Sequence, residues 1–454
     1  VKDYGRWNIK ETFEGIGGTQ HQAEYVEGKN AGSAQVVGMS GVFMRAGIQG
    51  TTVQGPMQTK AGVAPAGAKL TLGRDLTNDF KLNQRVAVVN RGAMGPSQFD
   101  FSKDFPEALK QTLEVDAALL DKDRVAQLEI FSNQAAEVRD ALRAPAGGSV
   151  RIEADSIDVN ADISAPAGTI VLSALKNVIN DTTPTNDVRI KDGVTLSVRG
   201  AWINELPDVS SAAGSGAGID GGTITVAARN DVVLGQGTLL DATAGGRVTA
   251  NKKIIGGKGG ELILGAGYTP EKTDSDRRVT PEQFDSGGKL ALNGELKAYG
   301  FGKGGKLTLI NPSITIGGST EAQTLNLDSG FFERGGFSSY KLGAKNSLTI
   351  DNAVITPKTE RLFLQPNYFS QPSGSAIDRF TTLALPEERL REAVSLELSS
   401  SSANQLEGNL KIGKGAQIHA GDKASIVLKA SRLLEIDGQI ATPGGSITAT
   451  LAGG

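Results

Sequence analysis

The chain has 454 residues, 47 basic and 50 acidic side chains, a net charge of −3, 59 glycines and no cysteine. Disulfides and thiolate metal sites are therefore excluded, and the evenly mixed charge argues against an electrostatic nucleic-acid binder or a polybasic membrane binder. No apolar run approaches the roughly 20 residues that span a bilayer, so the chain is read as not membrane-spanning. Glycine is about twice its usual share of roughly 7% without a three-residue period, which excludes collagen. Val, Ile and Leu remain plentiful, and aromatics make up only 5%. Small and β-branched residues suit narrow stacked coils better than a broad globular interior.

The N-terminal Val1-Lys2-Asp3-Tyr4 carries no signal peptide, so an exported protein would have lost its signal or hold it upstream. Over 1–72 the sequence predicts irregular β-helix coils. Val36, Val42, Ile48 and Val53 lie among glycines, and Gly67 to Leu72 has the form Gly-small-polar-apolar-polar-apolar. Over 73–145 the glycines thin out. Phe105-Pro106-Glu107-Ala108-Leu109-Lys110 predicts a short helix with Pro at an early position, and a strand is expected after it, near Leu113 and Val115.

Over 146–355 one phrase recurs: Gly, a small or polar residue, then alternating apolar residues. Copies begin at Gly148, Gly168, Gly222, Gly260, Gly288, Gly305 and later Gly445. Period-2 alternation over four or five residues marks a short half-buried strand, and the preceding glycine is expected to supply a turn conformation. Val150 to Ile170 reads as one coil of 20 residues. Val150 and Ile152, then Ile157 and Val159, then Ile163 point inward, with corners between them. The same design returns 277 residues later, where Ile157, Ile163, Pro166, Gly168 and Ile170 match Leu434, Ile440, Pro443, Gly445 and Ile447. The fold class is therefore all-β, a right-handed parallel β-helix with loop and short helical insertions. An antiparallel sandwich and propeller blades are the rivals, although propellers usually repeat at about 40 residues or more.

Two insertions interrupt these coils. One, 268–286, begins at Tyr268 and includes Asp274, Asp276, Arg277 and Arg278. The other, 356–393, holds Tyr368, Phe369, Phe380 and a helical turn expected at Pro386 to Leu390. Both read first as solvated excursions from a corner, and loops are also where binding residues collect. Tyr268, Asp274, Arg277, Arg278, Tyr368 and Phe369 are thus the candidate ligand-contact residues. Coils resume over 394–454, with Ser399 to Ser402 expected as a flexible loop.

Catalytic signatures are sparse. The two histidines, His21 and His419, have no metal-ligand partner at helical spacing, and no nucleophile elbow is present. Gly216 to Gly221 fits the dinucleotide pattern but leads into a strand phrase rather than a helix. A polysaccharide lyase or hydrolase could use the 268–286 charges, yet paired carboxylates must face each other across a sugar. No enzyme, cofactor or metal is expected.

The phrases Ile157-Asp158-Val159-Asn160-Ala161-Asp162-Ile163-Ser164-Ala165-Pro166 and Leu434 to Ile447 resemble the haemagglutinin-type repeats of two-partner secretion exoproteins, and Leu113 to Ile130 resembles an interior region of the filamentous haemagglutinin family. The resemblance covers about 145–320 and 394–454. It implies a secreted, cell-surface fibre, export through an outer-membrane transporter, and a role as adhesin, biofilm matrix protein or stalk. A glycan or protein receptor would be the partner. The Asn-Pro-Asn signature of the family's secretion domain is missing, and Asn311-Pro312-Ser313 is not it, so an interior fragment is expected. At about 20–25 residues per coil and about 4.8 Å per rung, the rod would reach at most about 100 Å. A carbohydrate-binding or polysaccharide-degrading β-helix is the alternative.

Overall fold

The computed structural model describes residues 2–4, 6, 9–11, 27–38, 41–42, 44, 48–53, 55, 58, 65–73, 81–90, 107–120, 125–174, 186–207, 209, 218–269, 272–273, 279–280, 283–284, 287–318, 323–402 and 406–451. Among them the chain is an all-β parallel β-helix with no closed barrel. One sheet collects a strand from each of twelve successive coils: Ser33–Val36, Ala68–Leu72, Val125–Phe131, Ser149–Ala154, Thr169–Ala174, Thr223–Ala228, Glu261–Ala266, Gly305–Ile316, Phe337–Ile350, Ser395–Ser400, Ser425–Ala430 and Ser446–Leu451. Neighbours along this path run parallel. A second face stacks Ala136–Val138, Ile157–Val159, Val188–Ile190, Val232–Leu234 and Leu290–Leu292. A third stacks Leu142–Arg143, Ile163–Ser164, Thr195–Ser197, Leu239–Asp241 and Glu295–Lys297.

The 20-residue coil is in register, Val150 opposite Ile170 and Ile152 opposite Leu172. Alternation decides which side chains go in. Val150, Ile152, Val159, Ile163, Ile170 and Leu172 are fully buried, and Ile157 nearly so. They join one apolar core that runs unbroken from Val42 to Ala430. Burying such a side chain contributes about 1.5–3 kcal/mol, and each coil repeats the gain against the coil below it. Outward positions carry ion pairs that bridge coils, such as Lys411–Glu435 at 2.8 Å and Lys429–Glu397 at 2.8 Å.

Close stacking, rather than turn conformation, is what several of the phrase glycines serve. A Cβ on Gly168 would stand 2.0 Å from the carbonyl oxygen of Gly148, one on Gly222 2.0 Å from that of Gly168, and one on Gly260 2.1 Å from that of Gly222. The coils touch backbone to backbone along this line, and only glycine leaves room. Left-handed backbone falls instead on Gly147 and, among the phrase glycines, on Gly288, at φ 73° and 98°. The phrase is also not tied to one face: Leu290–Leu292, which follows Gly288, pairs with Val232–Leu234 on the second face.

The structure departs from the sequence reading in two further places. Solenoid strands occupy much of 73–145, with Arg85–Val89 and Thr112–Asp116 extending the second face and Val125–Phe131 the first. The helix is there, Glu107–Gln111, and it runs directly into the strand Thr112–Asp116. The serines at 399 and 400 are not loop but the end of the strand Ser395–Ser400. Ser400 is fully buried between Ala344 and Ala430 of the adjacent coils, because a small inward side chain fits that slot. The rod length of the described residues falls well within the bound of about 100 Å. Twelve rungs at about 4.8 Å span roughly 50 Å, since register spacings grow to 54 residues between Thr169 and Thr223 and 56 between Ser339 and Ser395.

A seam divides the second face. The strand Gly305–Ile316 turns a corner, and its end, Ser313 to Ile316, starts a new stack with Thr324–Leu327 on one side and Phe337–Ile350, Asn409–Ile412 and Leu433–Ile436 on the other. The older stack ends at Leu290–Leu292. Its edge is closed by buried Asn311, whose Oδ1 accepts from the Leu290 N–H at 2.8 Å while its Nδ2 donates to the Ser313 carbonyl at 2.7 Å. A side-chain amide thus takes the place of the next strand.

Candidate functional site

The 356–393 insertion is not a solvated excursion. Its strands Arg361–Leu364 and Thr381–Ala384 form an antiparallel hairpin, with single helical turns at Pro366–Ser370, Ile377–Arg379 and Glu388–Leu390. The hairpin and its turns pack beside an outer sheet made of Trp202–Asn204, Gly246–Val248 and Ile254–Gly256. Together they bury a second apolar cluster of Trp202, Val248, Leu362, Ile377 and Phe380, separate from the main core. The Trp202 and Phe380 rings lie 4.7 Å apart. Burying aromatics of this size dominates local energetics.

Polar contacts fix the docked position. Arg199 donates from both terminal nitrogens to the two carboxylate oxygens of Asp378, each at 2.7 Å. Trp202 Nε1 donates to the Gln371 carbonyl at 3.1 Å, and Asn204 Nδ2 donates to the carbonyls of Phe369 and Gln371 at 2.9 Å. The Arg199 hydrogen bond holds the Asp378 carboxyl below the usual carboxylate range, against the opposing effect of burial. Tyr368 meets Trp202 edge-on at 6.3 Å. Phe369 stacks on Tyr368 at 3.9 Å and remains 40% exposed. The exposed ring is thus presented on a fixed platform.

The remaining candidates fall elsewhere. Tyr268 is only 3% exposed and packs with Ala227 and Ile310. It roots its insertion on the shaft and offers no ligand surface, because the strand Tyr268–Thr269 still follows the buried end of Glu261–Ala266. Asp274, Asp276, Arg277 and Arg278, like His21, lie outside the described residues. His419 sits at a strand end, its Nε2 2.9 Å from Gln417 Oε1, beside a cleft of about 310 Å³. Among the described residues, no group of three or more His, Asp and Glu side chains is placed to hold a metal ion, and no helix is long and apolar enough to cross a membrane.

A larger cleft, about 500 Å³, lies at the seam. Leu292, Leu296, Phe331 and Phe337 supply its apolar lining, and Glu295, Lys297, Asp328 and Arg334 its charges. The charges are paired, Lys297 with Glu295 at 2.5 Å and Arg334 with Asp328 at 2.7 Å. The Lys297 hydrogen bond and charge lower the Glu295 pKa. Tyr299 also lines the cleft, and burial, with the charge of Glu360, raises its phenol pKa.

Sequence reasoning passed over Trp202, Arg199, Asp378 and the seam residues. One signal is available: Trp202 is one of only two tryptophans in the chain, and a ring of that size in a chain poor in aromatics marks a specific partner. The others announce nothing locally, since their partners lie far away in sequence. Comparisons with protein-family models, with curated proteins and with solved structures give no match.

Proposed function

We propose that this chain is a shaft segment of a secreted bacterial surface adhesin of the filamentous haemagglutinin kind, exported through an outer-membrane two-partner secretion transporter, with its docked insertion as the ligand-contact surface. The observation that carries the reading is the display of Phe369, with Phe363 and Leu383 also exposed, on an insertion that is docked to the solenoid through a buried apolar cluster. A solenoid resists bending because each coil is hydrogen-bonded to the next along its length. A docked side element with an exposed aromatic ring is a common form of contact surface. The repeat phrases at Ile157 to Pro166 and Leu434 to Ile447 support the family and the route of export.

The test has two arms. The purified chain is applied to host cells, bacterial surfaces and biofilm matrix; binding that is lost in Phe369→Ser is the expected result, and equal binding by that variant counts against the contact surface. For export, the gene neighbourhood is inspected and the whole gene product that contains this chain is co-expressed with the neighbouring transporter. Appearance outside the cell only when the transporter is present is expected. Release of unsaturated sugars from a polysaccharide would sink the adhesin reading as a complete account.

A further inference from the structure

The cleft at the seam has the features of a small-ligand site, and none of its lining residues belongs to the 356–393 insertion, although Tyr299 also packs against the cluster that the insertion buries. Its volume of about 500 Å³ is within the roughly 300–1,000 Å³ typical of such sites. It exists because two stacks of different register meet there. The third-face strand Glu295–Lys297 ends one stack, and Thr324–Leu327 with the helical turn Ser329–Glu333 flanks the next. A perfect repeat would have closed the gap.

The lining narrows the chemistry of the occupant. A peptide strand would add to an open backbone edge, but this edge is covered. The Ala298 N–H donates to the Gly335 carbonyl at 2.8 Å, and the Leu296 carbonyl oxygen lies 2.4 Å from where a Gly335 Cβ would stand. Side chains, not backbone, therefore meet the ligand. Two carboxylates and two cations cancel in net charge, which disfavours a polyanion or a polycation. Each pair offers acceptors beside donors, the pattern that a hydroxyl satisfies by donating to the carboxylate and accepting from the cation. Phe331, partly buried beside the core, offers an aromatic surface to the C–H face of a sugar ring.

We infer that the seam cleft binds a neutral oligosaccharide, its hydroxyls shared between the Glu295–Lys297 and Asp328–Arg334 pairs and one ring lying on Phe331. This stands on the cleft alone and is independent of the export route. The test titrates the purified chain with neutral malto-, cello- and galacto-oligosaccharides and, for contrast, with an acidic heparin fragment, following heat or ligand resonances. Saturable binding of at least one neutral series is expected, weakened roughly tenfold or more by Asp328→Asn or Arg334→Gln, as befits loss of a hydrogen bond to a charged group. Those side chains are 69% and 65% exposed, so folding is not at stake. Phe331→Ala abolishes binding, while Phe331→Tyr, which keeps the ring, retains it.

The inference is overturned by no binding of any neutral series, by binding unchanged in both charge variants, or by preference for the acidic fragment. Binding lost in Phe369→Ser but kept in Asp328→Asn would also overturn it, and would leave the proposed contact surface standing. Failure of export would sink the adhesin proposal and leave the cleft untouched.

Discussion

The coil from Val150 to Ile170 and the insertion over 356–393 are held by opposite means. In the coil, each inward residue stacks on its own counterpart one turn away, Ile152 between Ile130 and Leu172, and the contact repeats along the rod. In the insertion, the polar contacts with Arg199, Trp202 and Asn204 are each made once, between residues 165 to 179 apart in sequence. A repeated contact shares a lost side chain's cost with its neighbours. A contact made once leaves the whole docked unit to a few side chains.

The strongest way to break this comparison is Trp202→Ala. Removing a large buried aromatic typically costs about 3–5 kcal/mol, and here the loss is expected to fall on the insertion. Limited proteolysis between Gln365 and Phe380 should accelerate sharply while backbone hydrogen exchange in 149–174 stays slow. Equal loosening of both regions would show that they are one cooperative unit. Leu172→Ala makes the converse test. It removes a fully buried side chain stacked between Ile152 and Val226, at about 2–5 kcal/mol. Exchange should rise in the neighbouring coils and leave the Trp202 environment unchanged. Because solenoids need not unfold in one step, exchange mapping is the appropriate measurement.

Smaller effects sharpen the picture. Asp378→Asn breaks the bidentate pair with Arg199, in which the Asp378 side chain is 68% exposed, so about 1 kcal/mol or less is expected. Its pH dependence has a definite sign. The folded Asp378 pKa is lowered, chiefly by the Arg199 hydrogen bond, so the stabilisation is full above the ordinary Asp value of about 3.9 and is lost as pH falls through the depressed folded value. Trp202 fluorescence in a Trp7→Phe background should report partial undocking in acid, and Asp378→Asn should flatten that transition. Smallest of all, Phe369→Ser should leave stability within about 0.5 kcal/mol while removing surface binding.

Much of the shaft was readable in advance. The 20-residue spacing and the inward set Val150, Ile152, Ile157, Val159 and Ile163 follow from period-2 alternation, which is a property of the extended backbone itself. Ser399 and Ser400 suggest a loop because serine clusters usually mark loops, whereas the slot that Ser400 fills between Ala344 and Ala430 asks only for a small side chain. The polar neighbours of Tyr268 mark an insertion and so suggest a contact residue, while its own ring is covered by Ala227 and Ile310.

The sequence by itself determined that the chain would coil, where the inward residues stand and that two segments leave the coil. These depend on local alternation and on glycines that let coils touch. The tertiary structure alone decided how far apart in sequence stacked rungs fall, that 356–393 folds back onto Trp202, and that mismatched stacks leave a cleft beside Phe331. Those outcomes depend on contacts closed across tens to hundreds of residues, for which no short stretch of sequence carries a period.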